Sequence, residues 1–314
     1  MNRALIAALS TAALSTIANA QGTLYMVETI NPRSLYTLDL GTAARTLVAP
    51  LSANTGAFVG AMAYDCATGT MYLNSTSNDT LMTLNLTTGE ATVIGSFVDL
   101  AVVMHGMEWD YSTGTLYGGS TGNLYTINTT TGAATLVGSS GAGSGILALG
   151  YHSGRNIMYA TSASTDSLYT IDRSTGAATL VGPLGAGSTA PTGLAYVPDN
   201  DTLYMIDNAT DQLYTVNVDT GAATAVGPIG GGNALTLAWV PDSCGGTNPT
   251  CGTSDFNGDG DFGTDQDIEA FFACLAGSCC ATCWQGGSDF NGDGDFGTDQ
   301  DIEAFFRVLA GGAC

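Results

Sequence analysis

The chain has 314 residues and a formal net charge of -22, with six basic residues, all Arg, against 28 acidic ones. That balance argues against a nucleic-acid ligand or an anionic membrane surface, since both need a basic footprint. Charged residues are nevertheless only 11% of the chain, beside 43 Gly, so the acidity is local and not a general coating.

Met1 to Ala20 reads as a secretory signal peptide. Arg3 precedes an apolar stretch, and Ala18-Asn19-Ala20 gives a small-x-small cleavage pattern. A membrane anchor is the rival reading, but the stretch is too short and too rich in Ser and Thr for a span, which takes about 20 apolar residues. No other stretch is long and apolar enough to cross. The mature chain is therefore expected to be secreted or attached to a cell surface, on the extracellular or periplasmic side.

From Gln21 to Asp242 one unit recurs. Its clearest copy is Leu168-Tyr169-Thr170-Ile171-Asp172-Arg173-Ser174-Thr175-Gly176-Ala177-Ala178-Thr179-Leu180-Val181-Gly182, and near-copies begin at Leu35, Leu81, Leu124 and Leu213, a period of 43 to 46 residues. A fixed period in this range marks a repeat architecture. Each copy is two short apolar runs joined by a polar stretch ending in Gly, which is the pattern of a hairpin. Gly89, Gly132, Gly176 and Gly221 keep that place, and the Leu35 copy reads as shortened there. Ahead of each hairpin stands a further strand, Leu24-Tyr25, Met71-Tyr72, Leu116-Tyr117, Met158-Tyr159 or Leu203-Tyr204. Before that comes another, ending in Tyr64, Trp109, Tyr151, Tyr196 or Trp239. Four strands in about 44 residues are the content of a propeller blade.

The first unit lacks its leading strand, and the missing strand appears last, as 233–240. A circle closed by the final strand explains both facts, so the expected fold is a mainly β, five-bladed propeller. Stacked blades bury both sheet faces, so strict apolar–polar alternation is not required. Gly and Ala allow close approach near the axis, and the Tyr and Trp ladder is core. The unit resembles secreted bacterial propeller repeats of the Leu-Tyr-x-Ile-Asp-x-x-Thr-Gly-x-Ala-Thr type, which implies a fold and leaves function open.

The propeller shows little chemistry. The chain has two His, His105 and His152, and no nucleophile elbow, zinc-binding helix motif or phosphate-cradling loop. One segment departs from the repeat, His105-Gly106-Met107-Glu108-Trp109. Aligned on the aromatic residue, Glu108 replaces Ala63, Gly150, Ala195 and Ala238, while His105 replaces Gly60, Leu147, Thr192 and Leu235. A carboxylate in such a place needs a partner or water, which makes His105 and Glu108 a possible ligand site at the axis. The competing reading is a solvated strand end, because one Glu and one His make no catalytic constellation. No catalytic residue is assigned. His152 reads as a turn residue.

Residues 243–254 form a small-residue linker, and 255–314 a separate module. The 19 residues Ser254 to Phe272 recur without change from Ser288 to Phe306, and these segments hold 12 of the 28 carboxylates. Asp-x-Asn-x-Asp-Gly is the first half of an EF-hand calcium loop, with oxygen ligands at positions one, three and five and Gly at six for the turn. Gln266 and Gln300 occupy position twelve, and Asp267 and Asp301 follow one place later. The expectation is a loop one residue longer, closed by those Asp residues, with a helix starting right after. Ile268, Phe271, Phe272 and Leu275 then share one face, as do Ile302, Phe305, Phe306 and Leu309. Gly277 and Gly311 end the helices.

No helix precedes either loop, and this half-EF-hand duplication resembles a type I dockerin, the module that ties secreted bacterial proteins to cohesin-bearing scaffolds. The resemblance implies Ca²⁺ held by the side chains of Asp255, Asn257, Asp259 and Asp267, and of Asp289, Asn291, Asp293 and Asp301. Asp261 and Asp295 would offer backbone carbonyls. The inserted residue, the spacing between copies and the cysteines depart from ordinary dockerins. The plain alternative is an acidic, solvated tail.

Seven of the eight Cys follow residue 243: Cys244, Cys251, Cys274, Cys279, Cys280, Cys283 and Cys314. In an exported chain they read as disulfides stapling a module with a small core. Cys279-Cys280-x-x-Cys283 lacks the second ligand pair that a zinc site needs. Connectivity stays open. Cys280 and Cys314 are equivalent by repeat, each placed to bridge back to a Cys ahead of its own loop, and Cys66 is a candidate free thiol. The functional expectation is a secreted, non-enzymatic binding or surface-assembly protein with a cohesin-like or cell-surface partner. The alternative is a hydrolase or lyase acting on extracellular polysaccharide.

Overall fold

The computed structural model describes residues 22–30, 32–98, 103–141, 143, 147–230, 232–241, 253–280, 282–283, 287–291 and 297–309. The expected signal peptide, most of the linker, Cys244, Cys251, Cys314, Asp293, Asp295 and Gly311 lie outside the described residues.

The described residues form strands β1 (Gly22–Glu28), β2 (Ser34–Leu38), β3 (Arg45–Pro50), β4 (Val59–Asp65), β5 (Thr70–Ser75), β6 (Thr80–Leu84), β7 (Ala91–Ser96), β8 (Gly106–Asp110), β9 (Thr115–Ser120) and β10 (Asn123–Ile127). They continue with β11 (Ala134–Ser139), β12 (Leu147–His152), β13 (Ile157–Ser162), β14 (Ser167–Ile171), β15 (Ala178–Pro183), β16 (Pro191–Val197), β17 (Thr202–Asp207), β18 (Gln212–Val216), β19 (Ala223–Pro228) and β20 (Ala234–Pro241). Helices α1 (Asp265–Leu275) and α2 (Asp299–Leu309) follow.

The strands make five antiparallel four-stranded sheets. Four are consecutive, β4 to β7, β8 to β11, β12 to β15 and β16 to β19, and the fifth is ordered β20-β1-β2-β3. The last strand therefore completes the first blade, as the displaced segment predicts. β4, β8, β12, β16 and β20 pack on one another in a closed inner ring. The aromatic ladder is buried there, with Tyr64, Trp109, Tyr151, Tyr196 and Trp239 each at most 9% exposed. Close approach at the ring is real: a Cβ on Gly60 would lie 2.2 Å from the Met104 carbonyl oxygen.

Each outer hairpin is shaped by its Asx residue. Asp172 Oδ1 accepts the N–H groups of Ser174 (2.8 Å) and Thr175 (3.2 Å), and Gly176 N–H donates to the Asp172 carbonyl at 2.7 Å. Asp39, Asn85, Asn128 and Asn217 repeat the arrangement. The first copy is not shortened: Ala43 stands as far from Asp39 as Gly176 does from Asp172, takes the glycine's place at φ 60° and closes the same turn. Every outer pair also carries a one-residue register shift, for instance between Leu168 and Tyr169. Such bulges twist the open edge strand away from flat pairing with another chain.

In the tail, Phe256, Phe271, Phe290 and Phe305 are fully buried in one cluster with Cys274, Cys283 and Ala304. The Phe271 and Phe305 rings stack at 4.0 Å, so the two copies share one core. Three expectations are corrected here. The first helix starts at Asp265, two residues before Asp267, because Thr264 and Asp267 form a reciprocal capping box. Phe272 and Phe306 stay 43% and 46% exposed. The buried stripe of the first helix runs through Ile268, Phe271, Cys274 and Leu275 instead, so Cys274 fills the place expected of Phe272. Gly277 does end that helix, at φ 84°, with Ser278 N–H on the Ala273 carbonyl.

The cysteines supply the third correction. Cys274 pairs with Cys279 and Cys280 with Cys283. Cys280 thus bridges forward to a neighbour whose Cα is 5.1 Å away, within ordinary bridging reach, and not back across its loop. Cys66 is disulfide-bonded as well, so it is not a free thiol.

Candidate calcium loops and the charged seam

The first loop wraps its acidic residues around its own backbone. Asp255 accepts Asp259 N–H on Oδ1 and Gly260 N–H on Oδ2, both at 3.0 Å. Asp259 Oδ1 accepts Asp261 N–H at 2.9 Å, and Asn257 Nδ2 donates to Asp259 Oδ2 at 2.8 Å. Asp267, fully buried in the first turn of α1, closes the loop from the other side. Its Oδ2 accepts Thr264 N–H (2.8 Å) and its Oδ1 accepts Asn257 N–H (3.3 Å). Burial alone would raise the Asp267 pKa, but the bonds from Thr264 and Asn257 hold it below its ordinary value. The second loop repeats the closure: Asp301 is fully buried and accepts Thr298 N–H at 2.7 Å and Asn291 N–H at 3.2 Å.

Asp255, Asn257, Asp259 and Asp267 are thereby linked in one loop, and of the described members of the second set Asn291 and Asp301 are linked in the same way. Among the described residues no three carboxylate, imidazole or thiol groups stand together as a group that could hold a metal ion. The donor set still fits a hard cation. Every donor is oxygen, and a carboxylate oxygen engaged by one N–H keeps a second lone pair.

In the propeller, Glu108 and His105 each have their own local partners. Among the described residues no hydrogen bond or ion pair joins them. His105 precedes β8, its N–H on the Gly119 carbonyl, and burial holds its imidazole below the ordinary pKa. Glu108 is half-buried, with Oε1 accepting Trp109 N–H at 2.9 Å. Burial drives its pKa from 4.5 up to about 8, against bonds from the Trp109 and Tyr151 N–H groups, with Asp110 adding to the rise. A group raised in the folded state keeps its contribution below pH 4.5 and loses it as pH climbs through 8. Glu108→Ala, which restores the residue of three other blades, is therefore expected to gain about 1–3 kcal/mol over wild type at pH 8. Urea titrations at pH 5 and pH 8 check this, and equal differences at both would refute it. His152 does end β12 at a turn, but it is buried against the Tyr196 ring at 3.9 Å.

Sequence reading missed a charged seam between the third and fourth blades. Asp110, with no exposed side-chain surface, is paired with Arg173, which is 21% exposed. Arg173 also reaches Ser112 Oγ (3.1 Å) and Asn156 Oδ1 (2.6 Å), and stands 5.3 Å from the Tyr151 ring centroid. Burial would raise the Asp110 pKa, but Ser112, Thr113 and Arg173 together hold it low. A signal was present: Arg173 stands where the other hairpins have Leu40, Leu86, Thr129 and Val218.

These elements define a five-bladed β-propeller with four-stranded blades, followed by two small helices. Residues 3–146 and 117–248 match the family described as a repeat of unknown function, DUF6923. The chain belongs to that family. Among curated proteins none matches. Of solved structures, one chain from a nidogen/laminin complex superposes with a TM-score of 0.50 at 13% identity, over 71% of this chain and 100% of that one. A protein of unknown function from Bacteroides thetaiotaomicron gives 0.48 at 16% identity, over 65% and 55%. Virginiamycin B lyase from Staphylococcus aureus gives 0.43 at 12%, over 67% and 71%. At such identities the likeness is one of fold. Among the described residues no helix is long and apolar enough to cross a membrane.

Proposed function

We propose that the chain is an exported binding or assembly protein, in which the propeller is a rigid recognition scaffold and the tail a calcium-ordered docking module. The observation that carries this reading is the unchanged recurrence of Ser254–Phe272 at Ser288–Phe306, with Phe271 and Phe305 of the two copies stacked in one core. A solvated acidic tail has no use for a shared aromatic core. Asp255, Asn257, Asp259 and Asp267 hold one Ca²⁺, with Asp261 contributing its carbonyl, and Asp289, Asn291, Asp293, Asp295 and Asp301 hold the second. Bound Ca²⁺ supplies the positive charge that offsets the six carboxylates of each unit. The disulfides support an oxidising compartment, and with it export.

The docking partner on this reading is a cohesin-like or other cell-surface protein. The rival reading, a hydrolase or lyase on extracellular polysaccharide, needs paired carboxylates or His at one mouth of the propeller. The candidates for it are His105 and Glu108, which no hydrogen bond or ion pair joins among the described residues.

Calorimetry on the mature chain is expected to show one Ca²⁺ bound per loop, with a gain of helical circular dichroism. Asp267→Ala and Asp301→Ala should each abolish one of the two binding events. No calcium heat at about 1 mM, the weak end for extracellular calcium modules, would sink the assignment.

A further inference from the structure

The seam between the third and fourth blades opens into a groove of about 610 Å³ on the face that carries the hairpin turns. That volume lies within the range of small-ligand clefts. Tyr117, Met158 and Ile171 make an apolar floor. Exposed polar groups of Asn156, Asp172 and Thr179 make the rim.

The rim residues are held in place. Asn156 sits at φ 53°, where other blades have Gly69, Gly114 and Asp201. Its Oδ1 accepts both the Tyr151 hydroxyl (2.9 Å) and Arg173 (2.6 Å). That fixes the amide plane and leaves its N–H₂ without a protein acceptor among the described residues. Asp172 spends Oδ1 on its own turn, while Oδ2 has no partner among the described residues. Arg173 itself is committed to Asp110, Ser112 and Asn156.

The chemistry selects among ligands. An anion finds no unspent positive charge, because Asp110 neutralises Arg173 and the chain carries -22 overall. An apolar ligand would strip water from Asp172 and Asn156 without replacing their hydrogen bonds. A hydroxyl both donates and accepts, so it can serve the carboxylate, the amide N–H₂ and the Thr hydroxyls together, while the C–H faces of a sugar ring cover the apolar floor. We propose that this groove is a binding site for a short neutral oligosaccharide, oriented by Asn156 and Asp172, with Arg173 as a positioning residue. The proposal rests on none of the calcium argument.

The test uses the mature full-length chain. Neutral oligomers of glucose, xylose, mannose and galactose, with an oligogalacturonate as the acidic control, are screened by saturation-transfer NMR and then titrated by calorimetry. At least one neutral oligomer is expected to bind and the acidic one not. Thr179→Trp, which fills the groove from an exposed strand position, should weaken binding about tenfold or more without shifting thermal unfolding. Arg173→Leu, carrying the residue found at Leu86, should weaken it comparably by releasing Asn156. Absence of any neutral ligand would make the Asp110–Arg173 pair a staple of the seam alone and overturn the proposal. Binding that survives Thr179→Trp, or an acidic oligomer that binds equally well, would overturn it too.

Discussion

Asp207→Ala is expected to cost the propeller about 3–5 kcal/mol, because it strands several buried N–H and O–H donors at about 1–3 kcal/mol each, less what water recovers. Asp207 is fully buried at the end of β17. Its Oδ2 accepts Ser188 Oγ (2.7 Å), Thr189 N–H (2.9 Å) and Ala190 N–H (2.8 Å), from the loop that leads from the fourth blade to the fifth. Its Oδ1 accepts Ala209 N–H (3.0 Å) and Thr210 N–H (2.9 Å) in the following turn. One side chain thus ties an interblade loop to a hairpin, and Ala leaves those N–H groups to water or to nothing. Burial would raise the Asp207 pKa, but the bonds from Ser188, Ala190 and Thr210 outweigh it and lower it from 3.8. The stabilisation is therefore present above that value and fades as pH falls through the lower folded value. Urea unfolding of wild type and variant at neutral pH reads the difference, and acid titration should narrow it. A loss under about 1 kcal/mol at neutral pH would show that the loop finds other partners.

The sequence pattern carried the fold because a repeat states its strands five times over. Blade count, strand count and the closing strand all followed from the period and from one displaced segment. The same redundancy hid the sites. Asp207 stands, with Glu28, in the column of Ser75, Ser120 and Ser162, and Arg173 in that of Leu40, Leu86, Thr129 and Val218. Reading those columns for their outliers would have marked both positions. It could not have supplied their partners, since Ser188 and Asp110 lie in neighbouring loops or blades and only packing brings them together. In the tail the local Asp-x-Asn-x-Asp-Gly pattern was legible, but the phase of α1 was not. Counting from the inserted residue put the helix after Asp267, whereas the Thr264 cap starts it earlier and turns Asp267 inward. Phe272 and Phe306 fit the apolar period and remain outside, because a core shared by two short helices buries a narrower stripe than the period allows.

Gly138→Val is the second substitution expected to act strongly, at about 3 kcal/mol. The outer strand of each blade meets the hairpin turn of the next, and a Cβ on Gly138 would lie 2.0 Å from the Thr175 carbonyl oxygen. Gly95 and Gly182 show the same contact with Thr131 and Thr220, at 2.0 and 2.1 Å. The opposing atom is backbone, in a turn held by the Asp172 side chain, so it cannot swing aside as a flexible side chain would. The first seam shows what yielding requires. There Ala49 occupies the outer-strand place, and Gly89 of the facing turn packs against the carbonyl of Pro50, one residue further along, where Gly176 packs against that of Gly138. Gly138→Ala can follow that shift and should lose less than Gly138→Val, whose branched side chain needs the seam to open. Because the blades form a closed ring, opening one seam strains the rest, including the β20–β1 closure. Gly154→Ala is the control: its Cβ would meet nothing closer than the Tyr196 hydroxyl at 3.6 Å, so it should stay within about 0.5 kcal/mol of wild type. Urea unfolding of the three variants should rank Val below Ala below the control, and a Val variant as stable as the control would show that the glycine contacts do not fix the blade spacing.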